Sequence, residues 1–427
     1  RPRRISSLPL SERVQTRSAA LSAYGRAALG TAAAKTLADA LRGSEYEQTL
    51  AVAGGRITND RLSLSRATTA LLYGKSIGLT QTRMDQFVRC PMQHFCLYVL
   101  RLGDERRATF DAMNVGTFIH ALLEKFFSSL KEEHTEIASL TEEDCRRRIR
   151  TLADEYMARL HSDEMQKTAR LSHTVDSLTT AAAGIAGGIC EELADCRYYP
   201  TFFELPIEKN EDESTPAPVE YRTSDGGTVY VYGTIDRVDV YPVNGNVYVR
   251  VIDYKTGRKE FSPSDLAEGR NLQLFLYLRS VVESETFRHR LGVSEGGKVI
   301  PGGAMYVSAR VDDQPLSSPS ENALAVFRAG QSRRGMLLDA PVSIAAMSKR
   351  YIPIRFTKDN IPDKRSADKL YTKDGWDALC RTVTDSVVRI AEDMKSGRIP
   401  AGGTDGKHAS SACDTCPYKP VCRSVAR

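Results

Sequence analysis

Val229 to Gly257 read VYVYGTIDRVDVYPVNGNVYVRVIDYKTG, and this stretch decides the fold. Val229–Tyr241 is β-branched and aromatic with near alternation, and Val247–Tyr254 alternates again. Asn244-Gly245-Asn246 between them is a turn signal, so the two runs predict a β-hairpin. Strand interiors carry mostly apolar or neutral side chains, yet Asp236, Asp253 and Lys255 fall late in these two strands. Residues i and i+2 of a strand share a face, so Asp253 and Lys255 project together. Two carboxylates from paired strands can hold Mg²⁺, and an adjacent ammonium can polarise a nucleophilic water beside a phosphate. Asp-x-Lys alone is common, and taken singly the pair is a strand-end salt bridge. The chain carries two more, Asp393/Lys395 in a helical pattern and Asp405/Lys407 in a Gly-rich loop. On a helix, i and i+2 do not face each other.

The surroundings are those of an ordinary globular chain. At 427 residues, 41% hydrophobic and 26% charged, there is room for one large domain and a smaller one. No apolar run reaches the ~20 residues that span a bilayer. The start, Arg1-Pro-Arg-Arg-Ile, lacks Met and an apolar signal core, which reads as a fragment of a longer, non-secreted protein. A net charge of +5 is a weak signal for nucleic acid, so a DNA-binding surface requires local clustering. Nucleotide-binding loops are excluded: the first glycine needed before Gly74-Lys75-Ser76 falls at Thr69, and Gly30…Lys35-Thr36 fails on spacing.

Outward from the hairpin, residues 1–78 read as packed helices without chemistry. Leu79–Leu100 reads as a helix capped by Thr80 or Thr82 and interrupted at Cys90-Pro91. Met113–Leu130 is an amphipathic helix whose stripe is flanked by His120 and Glu124 at i, i+4. Taken alone, His120 is a core-edge histidine. Helices are predicted over Thr141–Asp163, opening with a Thr141…Asp144 capping box, and over Thr174–Cys196. The Arg146–Arg148 and Arg150 cluster reads as a solvated face, with phosphate contact as the alternative reading. Thr201–Lys209 is a strand carrying Glu204, and further strands are predicted at Ala304–Ala309 and Tyr351–Phe356. Gln273 and Tyr277 share one face of a helix within Ser264–Ser284. A long helix, Asp374–Lys395, stops at Gly397 and Pro400. These elements predict an α/β fold, a mixed twisted sheet with helices on both faces. Nine cysteines, three of them at C-x₂-C-x₅-C (Cys413, Cys416, Cys422), argue against a disulfide framework and for a metal or cluster. Three thiolates need a fourth partner, and structural zinc and iron–sulfur clusters both accept four cysteines.

Gly233-Thr-Ile-Asp236-Arg-Val-Asp239 followed by Ile252-Asp253-Tyr-Lys255-Thr-Gly257 resembles the RecB-like PD-(D/E)xK nucleases. Gly116-x-x-x-His120-x-x-Leu123-Glu124 and Leu272-Gln273-x-x-x-Tyr277 match the same family's helix motifs. The resemblance implies a restriction-endonuclease-like core in which His120, Asp236, Asp253 and the Tyr254 carbonyl hold Mg²⁺ or Mn²⁺. It implies that Lys255 assists the attacking water, that Gln273 and Tyr277 position the substrate and the lysine, and that Glu204 is the acidic residue of the preceding strand. Leu72-Tyr-Gly-Lys, Cys90-Pro91-x-x-x-Phe95 and the tail cysteines further resemble the AddB-type subunits of AddAB helicase–nucleases over about residues 70–427. That likeness implies a [4Fe–4S] cluster on Cys90, Cys413, Cys416 and Cys422, which staples the ends of a nuclease domain (79–427) that contains a helical insertion at about 131–197. Residues 1–78 become the helical end of a helicase-like region. It also implies an AddA-type partner subunit, single-stranded DNA from an unwound duplex, cutting of the 5′-terminated strand in double-strand-break processing, and a bacterial cytoplasmic setting. The remaining cysteines, Cys96, Cys145, Cys190, Cys196 and Cys380, read as structural. Two alternatives stay open: a stand-alone Fe–S exonuclease of the CRISPR-adaptation type, and an inactive Cys₄-stapled DNA-binding module.

Overall fold

The computed structural model describes residues 16–17, 19–20, 23, 32–47, 63–103, 112–160, 169–209, 213–255, 261–308, 333–358, 361–402, 413 and 416–422. Before the sheet come α1 (Ala32–Leu41) and α2 (Arg66–Tyr73). The sheet strands are β1 (Ser76–Thr80), β2 (Tyr199–Ile207), β3 (Glu220–Arg222), β4 (Thr228–Val243), β5 (Asn246–Lys255), β6 (Val299–Ser308), β7 (Arg334–Leu338) and β8 (Leu370–Tyr371). They form one mixed eight-stranded sheet in the order β1-β4-β5-β6-β7-β8, with β2 and β3 also on β4. The 16-residue β4 is the hub. Its first part lies between β1 (parallel) and β3, its second between β2 and β5, both antiparallel. The hairpin forms where expected. Asn244 (φ 52°) and Gly245 (φ 78°) both adopt left-handed backbone, the geometry that a two-residue turn needs to match strand twist.

Helices cover both faces. On one, α3 (Gln81–Arg89), α9 (Gln273–Glu283) and α11 (Lys373–Lys395) share a core with Val247, Val249 and Val251 of β5. On the other, α5 (Ala112–Glu132), α6 (Glu142–Leu160) and α7 (Ala169–Ala194) share a core with Ile252 and Tyr254 of the same strand. Between these helices the chain also forms α4 (Pro91–His94), α8 (Pro263–Glu268), α10 (Pro341–Ala345) and, near the end, α12 (Lys419–Cys422). The helices expected as an insertion thus form, with α5, the layer over one sheet face. The Thr141/Asp144 capping box closes reciprocally, at 3.2 and 3.1 Å. Each arginine of the basic cluster pairs with acids: Arg146 with Glu142 and Glu143, Arg147 with Asp144, Arg148 with Glu133, Arg150 with Asp176. Among the described residues, no helix is long and apolar enough to cross a membrane.

Two expectations change, at Leu79 and at Tyr351–Phe356, while the interruption at Cys90-Pro91 forms as expected. Leu79 lies within strand β1, and Thr80, the last residue of that strand, caps the helix that follows, its hydroxyl accepting from Arg83 N. That helix breaks at Cys90 into α4 and a π-helical turn, Phe95–Val99, because Pro91 cannot donate to a continuing helix. Tyr351–Phe356 is not a strand: Pro353 removes a ladder donor, and Tyr351, Ile352 and Ile354 are buried without pairing, apart from a bridge at Phe356. Short β7 and β8 complete the sheet instead.

Candidate metal centre and thiol cavity

A fault line in the sheet builds the centre. Val229, Val231 and Ile235 of β4 belong to the same core as Val238 and Val240, so the alternation switches parity between positions 235 and 238. On β2, Leu205 and Ile207 join that core with Phe202, while Phe203 packs on the opposite one, so β2 switches at Glu204. Glu204 has φ 43°, a left-handed backbone that costs a non-glycine residue roughly 1–2 kcal/mol. The β4–β5 ladder ends at Arg237↔Ile252, while β5 continues along β6 to Lys255↔Ser308. Strand pairing therefore opens beside Asp236, Glu204 and Tyr254. The Asp236 carboxylate replaces the missing ladder partner, accepting from Tyr254 N at 2.7 Å.

Into this opening α5 delivers His120. Its Nε2 lies 2.9 Å from the Tyr254 carbonyl, and its Nδ1 lies 3.5 Å from Asp236 Oδ1 and 3.6 Å from Glu204 Oε1. The ligand atoms of His120, Glu204 and Asp236 all fall within 4.8 Å of one another. Burial alone would lower the His120 pKa, but Glu204, Asp236 and the Tyr254 carbonyl outweigh it and hold it up at about 9. Burial and the neighbouring charge of Asp253 push Asp236 upward. Burial and Glu204 likewise raise Glu124, one turn after His120. A divalent cation would serve the same carboxylates. One nitrogen among hard oxygen donors suits Mg²⁺ or Mn²⁺. The carbonyl fixes the ring's orientation, with Nδ1 turned towards the carboxylates.

Asp253 and Lys255 do face one way: Lys255 Nζ is 2.7 Å from Asp253 Oδ2, and Gln273 Nε2 donates to Oδ1 at 2.7 Å. Asp253 is fully buried, so these contacts hold its carboxylate in one orientation. It stands outside the His120–Glu204–Asp236 group, to which its charge couples through Asp236. Tyr277 is buried over Gly233, where a Cβ would collide with the tyrosine ring and hydroxyl. That contact is the physical reason for glycine three residues before Asp236. By contrast, Lys395 pairs with Asp225 at 3.0 Å rather than with Asp393. Asp405/Lys407, like Thr256 and Gly257, lie outside the described residues. The sequence pointed to Glu204 but left its role open. The signal was the resemblance to a family whose preceding strand carries an acidic residue.

Cys90, Cys413, Cys416 and Cys422 line one cavity with Met92, Gly402 and Tyr418. Cys90 Sγ caps α4, accepting from Gln93 N at 3.4 Å, and also accepts from Gly402 N at 3.4 Å. Four thiols lining one cavity, with N–H groups aimed at the Cys90 sulfur and with Cys90 and Cys422 packed among Met92, Ile399 and Cys96, fit a four-thiolate metal or cluster. Cys96 is fully buried beside this set, and its thiol is pushed up by burial and by Cys416 and Cys90. It does not line the cavity. Cys145 and Cys190 sit 3.9 Å apart in the other core.

Comparison with known proteins agrees with this geometry. The profile of the PD-(D/E)XK nuclease superfamily matches residues 78–423. Among curated proteins, the chain is similar to the AddB-type subunit of the ATP-dependent helicase/deoxyribonuclease of Clostridium acetobutylicum, 26% identical over 376 residues, covering 86% of this chain and 31% of the relative. The protein of the same name from Desulforudis audaxviator is 28% identical, covering 82% and 30%, and that of Symbiobacterium thermophilum 29%, covering 84% and 30%. The chain therefore spans about a third of the length of the curated relatives it matches.

Proposed function

The chain belongs to the PD-(D/E)XK nuclease superfamily, and from that premise we propose that it hydrolyses DNA phosphodiesters with Mg²⁺ or Mn²⁺. The observation that carries the reading is the convergence of His120, Glu204 and Asp236 at the strand opening, beside the Asp253–Lys255–Gln273 chain. His120 through Nδ1, Glu204 and Asp236 are the core donors, with Asp253 and the Tyr254 carbonyl as the remaining ligands. A bound divalent ion supplies charge neutralisation at the phosphate and an acidified water. Lys255, anchored by Asp253, orients that water. Gln273 holds Asp253 in register, and Tyr277 braces the strand at Gly233.

The names of the relatives favour a place within a helicase–nuclease complex, and double-strand-break repair is the role we propose for it. There the chain would work beside an AddA-type motor subunit as an exonuclease on unwound single strands, cutting the 5′-terminated one. The thiol cavity would hold a [4Fe–4S] cluster on Cys90, Cys413, Cys416 and Cys422, as a structural staple, since hydrolysis transfers no electrons. An anaerobic nuclease assay on single-stranded DNA tests the reading: cleavage requires Mg²⁺, stops with EDTA and returns on readdition. Cleavage indifferent to EDTA would refute it. Four irons per chain and a brown absorption band are expected in the same preparation, and one zinc without iron would refute the cluster.

A further inference from the structure

Beneath the strand that carries Asp236 lies a line of buried charge that the chemistry above does not use. Glu192, Arg237, Asp239 and Arg250 are fully buried, and Arg333 is 2% exposed. Arg237 grips Asp239 through Nε at 2.8 Å and Nη2 at 3.0 Å. Arg250 donates from Nε to the same carboxylate at 2.7 Å and reaches Glu192 at 2.9 Å. Glu192 in turn meets Arg333 at 2.7 Å. Burial alone would raise Glu192, but Arg333, Arg250 and Arg237 outweigh it and hold it at about 2. Such a network is weak evidence for stability, because desolvating each ion opposes the gain from pairing. Its position suggests another use.

The line ends on Tyr254. Arg237 Nη1 donates to the Tyr254 hydroxyl at 3.2 Å, and the guanidinium sits 6.0 Å from the ring centroid. Tyr254 lies where the β4–β5 ladder has already ended. Its N–H holds Asp236 and its carbonyl holds His120. Two metal donors are therefore oriented by the backbone N–H and C=O of one residue that β4 no longer pairs. We propose that Arg237 and the Tyr254 hydroxyl are positioning residues for the metal centre. The buried charges clamp Arg237, Arg237 clamps the tyrosine side chain, and the side chain fixes the two flanking peptides, whose N–H and C=O orient Asp236 and His120. Arg237 thus acts on both sides, being also the chain neighbour of Asp236. The assignment rests on the metal-nuclease reading and adds to it the support that sets metal affinity. Outer hydrogen-bond partners of metal ligands are worth about 10–100-fold in affinity.

Replacing Arg237 would strip Asp239 of a partner and put folding itself at risk, so the decisive variant is Tyr254→Phe, which removes only the hydroxyl. The control is Tyr198→Phe. Tyr198 is buried in the same core under Arg250, and its hydroxyl meets Ser343 at 2.6 Å, away from the metal donors. The readout is Mn²⁺ affinity by paramagnetic resonance titration of the 427-residue chain, with Asp236→Asn defining the signal of the centre. Tyr254→Phe should weaken Mn²⁺ about tenfold or more, while Tyr198→Phe, of similar thermal stability, binds it like the unaltered chain. Equal affinity in Tyr254→Phe and the unaltered chain would overturn the assignment, as would equal losses in both variants. An unaltered chain that binds no Mn²⁺ at the centre would overturn the nuclease reading and this assignment with it.

Discussion

The metal centre and the thiol cavity solve opposite construction problems. The centre gathers charged side chains from β2, β4, β5 and α5 at a point where strand pairing opens, and it keeps them apart with hydrogen bonds. The cavity gathers small soft side chains from position 90 and positions 413, 416 and 422, near the two ends of the matched domain. In the first, the protein supplies the order, and a cation relieves charge that the fold has concentrated. In the second, the bound group would supply the order, because a four-thiolate clip across so long a loop removes chain entropy from the unfolded state. Loss of a group should therefore cost activity at one site and stability at the other.

The largest expected effect tests the first half of that contrast. Asp253→Ala or Lys255→Ala should lower cleavage on the order of 10³-fold or more while leaving DNA affinity nearly unchanged, as phosphate contacts elsewhere dominate binding. Asp393→Ala and Lys395→Ala should leave turnover within about twofold. Single-turnover rates and filter binding on the four variants check this, and an essential 393/395 pair would sink it. Next, Ala at Cys90, Cys413, Cys416 or Cys422 should bleach the protein and destabilise it by several kcal/mol, on the scale of a long-loop crosslink. Calorimetry with iron analysis reads both, and a Cys90→Ala variant with full iron would remove Cys90 from the set. Cys380→Ala should change neither.

A third prediction joins the two properties at Glu204. Glycine there relieves a left-handed backbone worth roughly 1 kcal/mol and deletes a metal donor. Glu204→Gly should melt no lower than the unaltered chain yet bind Mn²⁺ at least about tenfold more weakly. A clear drop in melting temperature would show that the carboxylate's pairing with His120 outweighs the strain. The smallest effect concerns acid. Glu192 is depressed to about 2, below its unfolded value near ~4.3, so its contribution is fully present above the unfolded pKa and is lost as pH falls through about 2. Glu192→Gln should therefore lower stability at neutral pH and flatten its loss on acidification, as followed by urea midpoints from pH 6 to pH 2.

Much of this arrangement was legible in the sequence, and the exceptions share a cause. The hairpin was readable because Asn244-Gly245 and two alternating runs agree with each other. The Asp253–Lys255 pairing followed from strand period alone. Glu204 could be pointed to but not given a role, because its orientation depends on a parity switch shared by two strands. Period-2 reasoning assumes that switch away. The false strand at 351–356 had the right composition, and Pro353 decided against it. Strands β7 and β8 are too short for any periodicity to register. The buried Glu192–Arg333 line joins positions far apart in the chain, which no local pattern connects.

Anomalous scattering from crystals soaked in Mn²⁺ tests the central claim most directly. One manganese peak is expected, bounded by His120 Nδ1, Glu204 and Asp236 on the side of β5 that carries Asp253, and it should vanish in Asp236→Asn. A fully occupied manganese elsewhere, or a peak in this centre that survives Asp236→Asn, would contradict it.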